Sequence, residues 1–121
     1  MISDIFGATS GRHQSVADTY ASFGYNVFLP EILISPYDGE IDMPKIVASV
    51  KEQNWEIMEG RFKALHSYLI DKGYKGFFCV GFCWGVWAGF RFAIRYDGFI
   101  AMCGMHPSLG ICGIFGEETE V

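Results

Sequence analysis

The sequence reads as an α/β protein: a mostly parallel sheet of about four strands with flanking helices. Short apolar runs bounded by glycine or proline alternate with longer segments whose apolar residues recur every three or four positions. Strand, helix and strand follow one another between Ile2 and Leu29, the rhythm of a βαβ unit. Half of the 121 residues are apolar and 17% are aromatic, which is ample material for one packed core.

In chain order, Ile2 to Ile5 reads as the end of a strand and Phe6 to Gly11 as a glycine-bearing loop. A helix is expected from about Gly11 to Phe23, with Ser10 as N-cap, Val16, Tyr20 and Phe23 on one face, and Gly24 as the stop. Tyr25 to Leu29 reads as a short strand closed by Pro30. Glu31 to Asp42, with Pro36 and Gly39, is a loop whose place after a strand makes it a candidate rim of a site. Met43 to Gln53 forms one helix on the stripe Ile46, Val47 and Val50. Asn54 to Lys72 forms another on Met58, Phe62, Leu65 and Leu69, ended by Gly73. Phe77 to Val80 is too short for a helix and reads as a strand buried on both faces. Val86 to Arg95 continues as a helix, Asp97-Gly98 turns the chain, and Phe99 to Cys103 is a further buried strand. From Met105 the periodicity dissolves, so 105–121 is expected to be a loosely ordered tail of a single domain spanning 1–121.

The formal net charge of -5 and the lack of a Lys/Arg cluster disfavour a nucleic-acid or anionic-membrane partner. The longest uncharged run, Gly76 to Phe90, is too short to span a bilayer and is interrupted by glycines. Its Gly81, Gly85, Gly89 spacing also resembles a membrane-helix packing motif, a reading set aside on that length. Residues 1–11 carry no secretory pattern. Cys79, Cys83, Cys103 and Cys112 form no C-x-x-C pair and have no histidine at zinc-ligand spacing, so neither metal nor cofactor is expected. Free thiols in a reducing, cytoplasmic setting follow, with Cys79 and Cys103 as small buried hydrophobes.

The chemistry is carried by Gly81-Phe82-Cys83-Trp84-Gly85, between a buried strand and a helix. A nucleophile elbow is a sharp strand-to-helix turn, and it needs small residues two positions either side of the nucleophile because the two backbones nearly touch. Gly81 and Gly85 meet that need around Cys83. A helix N-terminus favours an anionic sulfur, and the N–H of Trp84 is placed to donate to a developing oxyanion. The competing reading is a chance G-x-C-x-G in a glycine-rich core.

A second element adds weight. Asp4-Ile5-Phe6-Gly7 ends a strand, and Phe23-Gly24-Tyr25-Asn26-Val27-Phe28-Leu29-Pro30-Glu31 follows a helix later. With the cysteine elbow, these motifs resemble the dienelactone hydrolase family, over a stretch from Ser3 to about Ser108. The resemblance implies a partial α/β-hydrolase fold and cleavage of a small ester or lactone. It implies Cys83 as nucleophile and the N–H of Ile5 as second oxyanion donor. Asp4 stands where the family has a glutamate that contacts the resting cysteine, but it is one methylene shorter; its alternative is a loop-capping carboxylate.

Arg12 and His13 are expected at the surface of the first helical turn, and His66 on a partly exposed helix face. The family places its triad acid and histidine beyond later strands, which implies a fragment or truncated member; His106, in His106-Pro107-Ser108, is a weak candidate base. No arginine lies between Arg12 and Arg61, a departure from dienelactone hydrolases that hold a substrate carboxylate. A class I glutamine-amidotransferase-like domain and a non-catalytic remnant or interaction module are the alternatives. In the last, unpaired sheet edges would favour self-association.

Overall fold

Capping side chains and glycines set several of the helix boundaries. A computed structural model describes residues 1–108 and 110–116, so the acidic end from Glu117 lies outside the described residues. Helix α1 spans His13–Ser22, α2 Met43–Glu52 and α3 Trp55–Asp71. Strand β1 spans Phe77–Phe82, helix α4 Trp84–Arg95, strand β2 Phe99–Met105 and the one-turn α5 Ile111–Ile114. The side chain of Asp42 accepts the Lys45 N–H at the start of α2, and that of Asn54 accepts the Ile57 N–H, 3.0 Å, at the start of α3. Gly73, at φ +87°, turns the chain after α3. The two expected helices over 43–53 and 54–72 are therefore present to within a residue at each end.

α1 begins later than the sequence suggests. Arg12 is its N-cap and makes no side-chain cap, because Ser10 is occupied one turn earlier: its hydroxyl donates to Gly7 O (2.9 Å) and Asp4 Oδ1 (3.3 Å). Phe23 lies just beyond the helix and is 70% exposed, so it does not share a buried face with Val16 and Tyr20.

The sheet is smaller than expected. Among the described residues it has two strands, β1 and β2, parallel and registered from Phe77 opposite Phe99 to Phe82 opposite Met105. Ile2 adds one parallel bridge to Gly81 on the other side of β1, through Ile2 N–H to Val80 O (2.8 Å) and Phe82 N–H to Ile2 O (3.1 Å). The chain then bends at Ile5-Phe6, so no longer edge is left straight for Tyr25–Leu29 to pair with. That segment forms no strand; Phe28 O accepts instead from the Met1 amino group at 2.6 Å. Between it, α3 and β1 lies a cavity of about 470 Å³, lined by Tyr25, Phe28, Leu65, Leu69, Phe78 and Phe99 among others.

The expectation of strands buried on both faces is also corrected. Phe77 and Cys79 are buried whereas Phe78, between them, is 61% exposed. On β2 only Phe99 and Met102 are half-buried, and Cys103 is exposed. The reason is one-sided cover, since α4 packs along both strands and the alternate residues face outward. The core joins α3, α4 and β2 through aromatic rings: Trp55 stacks on Phe62 (5.1 Å), Phe62 meets Phe92 (4.9 Å) and Phe92 meets Phe99 (4.8 Å). Within 105–121, Ile111 is buried and Phe115 stacks on Trp87 at 4.9 Å, so the described part of this span is docked on α4.

Candidate active site

Cys83 stands between the last residue of β1 and the first of α4, with φ +52° and ψ -112°. Left-handed backbone is costly for a residue with a Cβ and is found where surrounding structure enforces it. Here the enforcement is visible. Cys83 N–H donates to Met105 O (3.1 Å), and Cys83 O accepts from Val86 N–H (3.1 Å). The glycines on either side leave no alternative path: a methyl on Gly81 would collide with the Gly85 carbonyl, and one on Gly85 with the carbonyls of Ile2 and Ser3. The strand, the helix and the N-terminal segment thus meet at this turn with backbone against backbone.

The N-terminal segment carries the second candidate element. Beyond the Ile2 bridge, the carbonyls of Ile2 and Ser3 lie against Gly85, and Ile5, two residues further on, is 1% exposed. The peptide after Ile5 is held at both ends, because Phe6 N–H donates to Asp4 Oδ1 (2.9 Å) and Ile5 O accepts from Tyr37 N–H (2.8 Å). Turn and loop hydrogen bonds use the N–H groups of Phe6, Gly7 and Ala8 but not that of Ile5. At the elbow they use those of Cys83 and Val86 but not that of Trp84. As the first residue of α4, Trp84 has no acceptor within its own helix.

Asp4 spends its carboxylate on its own loop and on His13. Oδ1 takes the Phe6 N–H and the Ser10 hydroxyl, and Oδ2 lies 3.1 Å from His13 Nε2. The same Nε2 lies 3.4 Å from the Asp4 N–H, yet it cannot donate to one atom while accepting from the other. The shorter contact, to a carboxylate, makes Nε2 the donor. His13 is not the surface residue expected from its place in a first helical turn: it is 6% exposed, with its ring 4.9 Å from that of Phe82. Arg12 is exposed as expected.

The expected rim loop is pinned. Arg61 Nη1 donates to Ile32 O (2.9 Å) and Leu33 O (2.8 Å); the buried Gln53 amide accepts from Ile34 N–H and donates to Ser35 O. Glu31 Oε2 accepts the Ala8 N–H at 2.8 Å, tying this loop to the one after Ile5. Neither Gln53 nor Arg61 stands out in the sequence, since Gln53 ends α2 and Arg61 lies on α3, both places where polar residues are ordinary.

Ser108 is the residue nearest the chemistry that sequence reasoning did not single out. Its hydroxyl lies 3.1 Å from Cys83 Sγ. His106, two residues before it, is exposed and takes φ +53°; His66 Nε2 lies 2.9 Å from Asp97 O. Among the described residues, no histidine has a hydrogen bond to Cys83. Cys79 is buried, and burial pushes its thiol up to about 11, so it is held protonated and inert. The cavity of about 470 Å³ includes none of Cys83, Trp84 and Ile5 in its lining. No group of three or more metal-ligating side chains, and no helix long and apolar enough to cross a membrane, is present among the described residues.

A model described as the dienelactone hydrolase family matches residues 1–117. A human protein named carboxymethylenebutenolidase homolog is 27% identical over 124 aligned positions, covering 100% of this chain and 48% of the relative. The chain thus spans about half the length of the curated relative it matches. No solved structure matches it comparably.

Proposed function

The chain belongs to the dienelactone hydrolase family, and on that premise we propose that it cleaves a small ester or lactone through an acyl group carried on Cys83. The observation that carries this reading is the left-handed Cys83, locked between two glycines that accept no side chain. The thiolate adds to the substrate carbonyl, forming a C–S bond and an oxyanion that the N–H groups of Trp84 and Ile5 receive. The C–O bond to the alcohol then breaks, the alkoxide takes a proton, and a thioester remains. Water hydrolyses the thioester to the carboxylic acid and returns the thiol. A histidine oriented by an acid accelerates both halves in this class of chemistry, and no described histidine has that relation to Cys83.

The name of the human relative points to a lactone, which supports the ester and lactone class. A substrate carboxylate held by arginine has less support, since Arg61 is committed to two backbone carbonyls and Arg91 and Arg95 lie over the rings of Trp87 and Trp55. With the family match over residues 1–117, the amidotransferase alternative has nothing in its favour. Four unpaired cysteines support a reducing compartment such as the cytoplasm.

The test is hydrolysis of p-nitrophenyl acetate and an aromatic lactone by this chain and by Cys83→Ala, with mass analysis of the Cys83 peptide. The expected result is an acetyl adduct on Cys83 and product release that depends on it. Equal hydrolysis by both proteins would reject Cys83 as nucleophile. Absence of both adduct and hydrolysis would leave the chain as a non-catalytic member of its family.

A second property rests on the outer edge of β2. That strand has no partner beyond it among the described residues, and Ile100 is 66% exposed, with Phe78 and Ile94 also exposed. Self-association through this edge is the reading these residues support.

A further inference from the structure

We propose that Ser108 is the positioning residue of the nucleophile: its hydroxyl fixes the Cys83 sulfur and donates a hydrogen bond to it when it is anionic. The inference rests on Cys83 being the nucleophile of the proposed hydrolase, and it assigns to Ser108 the contact that the sequence suggested for Asp4.

Three features of the structure carry it. First, the Asp4 carboxylate is fully engaged by Phe6 N–H, Ser10 and His13, whereas Cys83 Sγ has Ser108 Oγ at 3.1 Å. Second, the turn that presents Ser108 is bound to the elbow by backbone as well as by side chain, because Met105 O accepts the Cys83 N–H. Third, the two residues with a side chain that adopt positive φ among the described residues are Cys83 and His106, at +52° and +53°. The hydrogen bond from Cys83 N–H to Met105 O joins them, since that carbonyl belongs to the peptide leading into His106. Strained backbone persists where neighbouring structure over-determines it, and here each strained turn is anchored on the other.

The chemistry follows from the atoms. A serine hydroxyl has one proton to give, and Sγ lies within its reach at 3.1 Å. Donation to a neutral thiol holds the side chain in one rotamer. Donation to a thiolate is charge-assisted, and so strengthens as the proton leaves the sulfur. Ser108 itself never bonds to the substrate carbon; it acts through Cys83.

The test uses the whole chain and needs no substrate. Cys83 is alkylated with iodoacetamide at neutral pH in the parent protein, Ser108→Ala and Ser108→Thr, and labelling is followed peptide by peptide. Cys103, exposed on β2, is the internal reference. Alanine is expected to slow labelling of Cys83 by about ten-fold, the effect of losing a hydrogen bond to a charged group. Threonine, which keeps the hydroxyl, is expected to restore the rate to within about two-fold, with Cys103 labelling and the thermal midpoint unchanged in both. Unchanged or faster Cys83 labelling in Ser108→Ala overturns the proposal. So does a parallel change at Cys103, which would reflect general loosening. If the parent shows no ester hydrolysis but Cys83 labelling depends on Ser108 as described, the hydrolase reading fails, and what stands is that Ser108 holds the Cys83 sulfur without serving catalysis.

Discussion

Two glycines and two cysteines show how differently one chain treats the same residue type. At Gly81 and Gly85 an added methyl would meet carbonyl groups of the opposing backbone, which cannot rotate out of the way as a side chain could. Gly81→Ala or Gly85→Ala is expected to lower stability by about 2–3 kcal/mol, read from urea midpoints, with labelling of Cys83 disturbed as well. Gly110→Ala, at φ -64° with open space around it, is the control and should be close to neutral. Among the cysteines, Cys83 sits at a helix start beside a hydroxyl, while Cys79 is buried in the core and its thiol is pushed up to about 11 by that burial. The folded state therefore keeps a proton that the unfolded state releases from pH 9 upward. Stability from this group is fully present below pH 9 and is lost as pH rises toward about 11, by about 2–3 kcal/mol. Urea unfolding across that range should show the loss, and Cys79→Ala should show a shallower one.

Helices and strands differ in how much of themselves they announce. α2 and α3 were legible because Asp42, Asn54 and Gly73 are boundary chemistry and Met58, Phe62 and Leu69 are a periodic stripe that the core buries. α1 was misplaced by its cap because Ser10 has two possible employments, and a nearby carboxylate won it. Tyr25–Leu29 has strand composition but no straight neighbour to pair with, and pairing is a property of two segments. The elbow was legible since its glycines and cysteine are adjacent in sequence. His13 and Ser108 were not, because each reaches the site by tertiary packing. Gln53 belongs with them: its buried amide satisfies Ile34 N–H and Ser35 O in the 31–42 loop. Gln53→Leu leaves both unpaired, and a loss of about 2 kcal/mol or more is expected by urea unfolding. Faster proteolytic cleavage within 31–42 should accompany it, and cleavage at the parent rate would count against this role.

Taken together, the described residues bury one aromatic core and leave one face and one edge of a two-stranded sheet uncovered. Apparent mass measured by light scattering is expected to rise with protein concentration, and more so in salt, which screens the net charge of -5. Ile100→Lys, placing a charge on the exposed strand, should hold the protein at a lower mass; an unchanged profile would locate the contact elsewhere. The bridge from Ile2 to Gly81 also has a kinetic meaning. It closes a loop of about eighty residues that holds α1, α2 and α3, and so long a closure is costly in chain entropy and slow to form. Recovery of Cys83 reactivity during refolding should therefore lag helix formation and report the final closure of the molecule.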